Sequence, residues 1–170
     1  NIVIVGGGVV GCETAHWLAN EYGKNVTVLE MLPHFMMGVC TANRGHLLHY
    51  LEKSGVRLYN CTKVKALAKD GVYVEQNQSQ TVPDPYNTWQ PLLPPNIPNP
   101  MEKAIKEEIV EKKIPADLIV LAMGGKADET FFFEAGEEHL AKEIYNIGDS
   151  SRAGRVLEAV RGAYHLAVRI

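Results

Sequence analysis

The sequence predicts an α/β domain in three layers: a parallel sheet, helices on its crossovers, and an antiparallel β-meander in place of one crossover. Three observations predict it. Residues 2–5 and 117–122 hold apolar runs without polar alternation, as strands covered on both faces do. Stretches with helical apolar spacing follow the early strands, each stopped by a glycine. Asp70-Gly71 then stands between the strand-like runs 64–67 and 72–74, a hairpin signal that breaks the β-α-β rhythm.

Taken in order, residues 2–5 form a strand and 9–22 a helix, with Gly11, Ala15, Leu18, Ala19 and Tyr22 on one face and Gly23 as its stop. Residues 25–30 form the second strand. A loop containing Pro33 leads to a helix over 41–54, where Leu47, Leu48 and Leu51 make an apolar stripe and Gly55 follows the end. Residues 56–59 complete a β-α-β-α-β series, which implies right-handed crossovers and parallel pairing. After the hairpin comes an irregular stretch over 77–100. Seven of the nine prolines lie between Pro83 and Pro100, which excludes a regular helix or a central strand there. So long a loop is either a functional excursion, such as a binding lid, or a surface insertion with Trp89 as a local anchor. Ala104, Ile105, Glu108 and Ile109 would suit a helix over 101–114, yet the topology calls for a third antiparallel strand, and the second half is assigned to strand. Residues 117–122 return to the sheet. Phe131-Phe132-Phe133 reads as the hydrophobic anchor of a loop or short helix, and an exposed aromatic docking patch is the lesser alternative. Residues 143–147 read as a final strand. A closing helix over 155–170 places Val156, Val160, Ala163, Ala167 and Ile170 on one face.

A chain of 170 residues, 46% hydrophobic and 22% charged, suits an ordinary globular domain with a real core. A net charge of −3 without a basic cluster argues against nucleic acid or an anionic membrane surface as partner. No apolar stretch nears the ~20 residues that span a bilayer. Residue 1 already adjoins the first core strand, so no signal peptide is expected, and a start without Met suits a piece of a longer chain. Cys12, Cys40 and Cys61 are isolated, which fits a reducing cytoplasm and gives no vicinal redox pair. Cys12 reads as a small core residue rather than a nucleophile. His46 and His49 are three apart on a helix, but no third metal ligand accompanies them.

The chemistry concentrates in Gly6-Gly7-Gly8-Val9-Val10-Gly11 and in Glu30, which ends the second strand 19 residues beyond Gly11. A glycine pattern alone is weak evidence. Here it joins a strand to a helix and is followed by an acid, the arrangement of a Rossmann-like dinucleotide site. Gly6 permits the tight turn, Gly8 lets the backbone approach a pyrophosphate, and Gly11 lets helix and strand lie close. The free N–H groups and positive dipole end of the helix face the phosphates. Glu30 can accept hydrogen bonds from the adenosine ribose and would repel a 2′-phosphate. No Arg occurs in Met31-Leu32-Pro33-His34 to counter that repulsion, so NAD(H) is favoured over NADP(H).

These residues carry a resemblance. Gly-Gly-Gly-Val-Val-Gly-Cys-Glu-Thr-Ala (6–15), Val-Thr-Val-Leu-Glu-Met (26–31), Asp-Leu-Ile-Val-Leu-Ala-Met-Gly (117–124) and Tyr-Asn-Ile-Gly-Asp-Ser (145–150) resemble the pyridine-nucleotide domain of two-dinucleotide-binding flavoproteins. Within them the chain is most similar to the C-terminal region of old-yellow-enzyme-related NADH:flavin oxidoreductases, such as 2,4-dienoyl-CoA reductase, 2-enoate reductase, trimethylamine dehydrogenase and the NADH oxidase family. The resemblance covers nearly the whole chain except 77–114. It implies an N-terminal barrel with FMN and an iron–sulfur cluster, and a C-terminal pair of domains for FAD and NAD(P)H. Residues 1–142 would be the NAD-binding domain and 143–170 the returning strand and helix of the FAD-type domain. The remaining flavin and barrel domains of the parent protein would be its partners.

By that resemblance, Gly6, Gly7, Gly8, Val9, Val10 and Gly11 border the pyrophosphate, Glu30 and Met31 lie at the adenosine ribose, and Gly124 lies on the loop under the nucleotide. Glu13 matches an acid toward the nicotinamide end; an exposed first-turn Glu favoured by the helix dipole is the competing reading. Gly148 and Asp149 match a Gly-Asp motif that contacts the FAD ribitol and pyrophosphate. Two departures stand out: the Pro-rich stretch is longer than the pattern needs, and Gly125-Lys126-Ala127-Asp128 lacks the usual proline. The function implied is delivery of hydride from NADH to FAD and onward to FMN and an unsaturated or other organic acceptor. No side chain of this chain need act as acid, base or nucleophile. The alternative is a non-catalytic nucleotide-sensing or partner-docking module.

Overall fold

The alternation of one short strand divides the core in two. In β1 (Ile2–Val5) every residue is buried. Ile2 and Ile4 join Val26, Val28 and Leu58 with the helix residues Cys12, Ala15, Leu48 and Leu51 in one cluster. Val3 and Val5 join Leu29, Val72, Val74, Ile114 and Ala116 in a second. Both faces of the strand are thus covered, which is why its sequence shows no polar alternation.

The computed structural model describes residues 1–89, 97, 99–100 and 103–170, in two units, Asn1–Met123 and Gly124–Ile170. In the first unit β1 is followed by α1 (Val9–Tyr22), β2 (Val26–Leu29), α2 (Thr41–Lys53), β3 (Arg57–Tyr59), β4 (Thr62–Ala68), β5 (Gly71–Asn77), β6 (Ile109–Pro115) and β7 (Leu118–Leu121). The parallel sheet runs β3-β2-β1-β7, with Ile2 paired to Val26 on one side and to Leu118 on the other. The meander runs β4-β5-β6, antiparallel, with Val72 opposite Ile114. Helices, parallel sheet and meander make the three layers expected. α1 ends at Gly23, whose left-handed backbone (φ 59°) lets its N–H reach back to Ala19 O.

The third meander strand occupies the second half of 101–114, as topology demanded. Asn77 closes the neck of the excursion that precedes it. Its Oδ1 accepts from Ser79 N–H (3.0 Å) and Glu108 N–H (3.1 Å), and its Nδ2 donates to Lys106 O (2.8 Å). Trp89 is not the anchor of the described part of this excursion, because it is 61% exposed. Tyr86 is. Its hydroxyl donates to Val56 O (2.5 Å) and accepts from Leu58 N–H (3.2 Å), covering backbone groups on the outer side of edge strand β3. Tyr22 also departs from its assigned face: it is exposed and packs edge-on against Trp17 at 4.9 Å.

The second unit contains α3 (Thr130–Glu137), a 3-10 turn over Gly148–Ser150 and α4 (Val156–Ala167). Phe131 and Phe133 do not anchor it. Both are exposed, and the buried residue of α3 is Ala135. No strand forms over 143–147: Ile147 has an extended backbone, but among the described residues no strand pairs with it, and an unpaired extended segment has no ladder to hold it. α4 forms with its apolar residues outward, Val156, Val160, Ala163 and Ala167 all being exposed.

Leu48→Ala, emptying a fully buried site, is expected to lower stability by about 2–5 kcal/mol in urea denaturation. Tyr86→Phe strands two backbone groups and is expected to cost about 1–3 kcal/mol, with Trp89→Ala near neutral. A larger loss for Trp89→Ala than for Tyr86→Phe would contradict the anchoring role of Tyr86.

Candidate dinucleotide-binding site

β1 ends in a turn that only glycine can build. Gly6 has φ +112°, and a β-carbon there would overlap Ala122 O at the end of β7. A β-carbon on Gly11 would overlap Gly6 O, and one on Gly7 would enter the Phe35 ring. Gly8 differs: it is exposed and has open space around it. Gly8 is also the N-cap of α1, without a side-chain capping bond, and the first backbone bond of the helix runs from Cys12 N–H to Gly8 O (3.0 Å). The leading N–H groups of α1, around Val9, Val10 and Gly11, therefore have no intrahelical acceptor. Unused amides at a helix N-terminus beside open space can receive an anion such as a pyrophosphate.

Glu30 sits one residue past β2 and is held at four points. Its N–H donates to Tyr59 O and its carbonyl accepts Thr62 N–H, each at 2.8 Å. Its carboxylate accepts Gly7 N–H at Oε2 and Leu32 N–H at Oε1, again at 2.8 Å. A carboxylate has about four acceptor positions. The remaining ones can take ribose hydroxyls, and the negative charge opposes a phosphate. Met31, next along, is 67% exposed.

Residues behind the turn were not singled out from the sequence. Phe35 and Met36 are buried, and Met36 N–H donates to Gly7 O (2.8 Å). Arg44 of α2 is buried and donates from Nε to Phe35 O (2.9 Å) and from Nη1 to Asn87 O (3.0 Å). Asn60 Nδ2 donates to Pro33 O (2.7 Å) and Pro83 O (2.8 Å). One signal was available: Arg44 precedes Leu48 and Leu51 by four and seven residues, so it falls on the buried stripe of its helix. Burial lowers the affinity of its guanidinium for a proton below the ordinary value, yet it stays charged at neutral pH. The first Arg after Glu30 is thus engaged with carbonyls rather than directed toward a 2′-phosphate.

Cys12 packs beneath the same turn, its thiol directed at Gly7 O (3.6 Å). Burial, reinforced by the charge of Glu30, pushes its pKa up to about 12, so it remains a neutral thiol. Glu13 is exposed on α1 and lies one residue beyond the first turn that starts at Val9, a weak place for a dipole effect. Gly124, Gly148 and Asp149 belong to the second unit. There, Gly148 opens the 3-10 turn and Asp149 Oδ1 accepts Gly154 N–H at 3.2 Å. A cavity of about 500 Å³ lies beside the turn, lined by residues that include Asn146, Gly148, Arg152, Gly154 and Arg155. Among the described residues no group of three or more His, Cys, Asp or Glu is placed to hold a metal, and no helix is long and apolar enough to cross a membrane.

Strand, glycine turn, uncapped helix and an acid closing the next strand define a dinucleotide-binding α/β domain. The chain belongs to the pyridine nucleotide-disulphide oxidoreductase family, whose profile matches residues 1–152. It is 27% identical over 169 residues to an NADH oxidase of Thermoanaerobacter brockii, covering 99% of this chain and 21% of that protein. It is 23% identical to a cinnamate reductase of Clostridium sporogenes, with the same coverage. Among solved structures, a 2-naphthoyl-CoA reductase complex aligns with a TM-score of 0.73 and 25% identity over 99% of this chain and 21% of that one. Histamine dehydrogenase from Rhizobium sp. 4-9 (TM-score 0.69, 15% identity, 99% and 22% coverage) shares the fold. The chain spans about a fifth of the length of these relatives.

Alkylation followed by peptide mass spectrometry is expected to modify exposed Cys40 in the native protein and Cys12 only on unfolding. Gly7→Ala forces a methyl group into the Phe35 ring and is expected to cost about 1–3 kcal/mol or more, measured by thermal denaturation.

Proposed function

We propose that this chain is the NADH-binding domain of a flavin-dependent oxidoreductase of the NADH:flavin type. The observation that carries the reading is the uncapped N-terminus of α1 behind Gly8, with the Glu30 carboxylate 2.8 Å from Gly7 N. When bound, FAD would accept a hydride from NADH, and the electrons would pass singly through an iron–sulfur cluster to FMN and on to an unsaturated or other organic acceptor in the rest of the parent protein. The chain's own residues bind and orient. Gly6, Gly7, Gly8, Val9, Val10 and Gly11 form the pyrophosphate turn, and the amides at its helix end donate to the phosphates. Glu30, with Met31 beside it, accepts the ribose hydroxyls and repels a 2′-phosphate. Glu13 faces the nicotinamide end, and Gly124 supports the nucleotide from its loop. Gly148 and Asp149 serve the flavin, whose domain takes residues 143–170, while 1–142 form the nucleotide domain. The relatives support the reading by name, as an NADH oxidase and a cinnamate reductase.

Calorimetric titration of the protein is expected to give NADH binding at least about tenfold tighter than NADPH, since each charged hydrogen bond or repulsion is worth roughly 1.5–3 kcal/mol. Glu30→Gln keeps the shape but removes the charge and one backbone acceptor, so both affinity and selectivity fall. Equal or tighter NADPH binding by the unaltered protein would sink the assignment. NADH binding without NADH-dependent flavin reduction in the whole protein would favour a non-catalytic nucleotide-sensing module.

A further inference from the structure

We propose that Arg44 is a positioning residue of the nucleotide site: from behind, it holds the loop over 31–40 against the glycine turn and so sets the shape of the turn that meets the pyrophosphate. The inference rests on the dinucleotide reading above.

Arg44 is 3% exposed on the stripe that Leu48 and Leu51 continue, a place where a leucine would pack at no electrostatic cost. It donates to main-chain carbonyls: Phe35 O at 2.9 Å, Asn87 O at 3.0 Å and, more weakly, Thr88 O at 3.4 Å. Among the described residues it forms no salt bridge. A buried cation devoted to carbonyls of two loops is poor packing but a good clamp, since the planar fork fixes both directions at once.

What it clamps leads directly to the turn. Phe35 fills the space where a β-carbon of Gly7 would lie. Met36 carries the next N–H, donated to Gly7 O at 2.8 Å, and does so with a left-handed backbone at φ 53°. A non-glycine residue stays in that region only where its surroundings hold it. Gly7 N–H in turn donates to Glu30. Both peptide groups of Gly7 are therefore set by the loop that Arg44 holds and by the carboxylate facing the ribose. Asn60 ties the same loop to the same excursion through Pro33 O and Pro83 O. With Arg44 truncated, Phe35 O loses its donor, Met36 can relax, and the amides beyond Gly7 lose the preorganisation that favours binding. Arg44 need not touch the nucleotide to govern its affinity.

The test compares Arg44→Met, Arg44→Lys and Val74→Ala, the last a core cavity that lowers stability in the meander cluster, which does not contain Phe35 or Met36. Each is titrated with NADH and with ADP-ribose, which lacks nicotinamide, at a temperature where circular dichroism shows the protein folded. Arg44→Met is expected to weaken both ligands about tenfold or more. Arg44→Lys, able to reach one carbonyl but not both, falls between. Val74→Ala lowers Tm yet leaves both affinities within about twofold. Wild-type affinity in Arg44→Met, or an equal loss in Val74→Ala, overturns the proposal. Should Arg44→Met not fold, the Gly7 amide resonance of ligand-free Arg44→Lys decides: a shift supports positioning and an unchanged position overturns it. Failure of the unaltered protein to bind either ligand would sink the dinucleotide reading instead, and the Gly7 resonance would still test the clamp.

Discussion

At the end of β1 the main chain is packed so closely that three successive needs exclude a β-carbon. Gly6 lies against Ala122 O, Gly11 against Gly6 O, and Gly7 against the Phe35 ring. Everything at the site follows from those approaches. They seat α1 directly behind the strand, bring β7 alongside, and leave Gly8 facing open space with the uncapped amides of the helix. A side chain at Gly11 would push the helix away from the strand, one at Gly6 would displace the chain at the end of β7, and one at Gly7 would displace the Phe35 ring.

Electrostatics then acts on a backbone already in place. Glu30 gathers Gly7 N–H and Leu32 N–H at 2.8 Å, so the charge proposed to meet a ribose also braces the turn proposed to meet the phosphates. The same charge, added to burial, keeps Cys12 protonated and inert beneath the turn. The positive counterpart is Arg44, which serves loop carbonyls and offers no fork to a 2′-phosphate. The proposed preference for NADH rests on the Glu30 carboxylate and on Arg44 being engaged with loop carbonyls.

The chain belongs to the pyridine nucleotide-disulphide oxidoreductase family and spans about a fifth of the length of the matched relatives, and among the described residues no group of three or more His, Cys, Asp or Glu is placed to hold a metal. The second unit is different in kind. Its apolar residues Phe131, Phe133, Val156 and Val160 are exposed, and its Gly-Asp turn borders a cavity with Arg152 and Arg155. Local signals there are strong, but the packing that would use them is thin.

Sequence alone determined the layers and the turn, because those follow from short-range rules. Unalternated apolar runs mean strands covered twice, Asp70-Gly71 means a hairpin, and glycines at 6 and 11 mean close approach. It did not reveal that Gly7 is the glycine pressed by Phe35, that Arg44 and Asn60 brace the loop after Glu30, or that Tyr86 rather than Trp89 covers the β3 edge. Those depend on residues 9 to 43 positions apart meeting in space, which no local pattern records. It also overreached at 143–147, where extended propensity was real but no strand among the described residues supplies the ladder. Periodicity decides what a segment can become; tertiary structure alone decides what it meets, because hydrogen-bond partners and buried surface come from outside the segment.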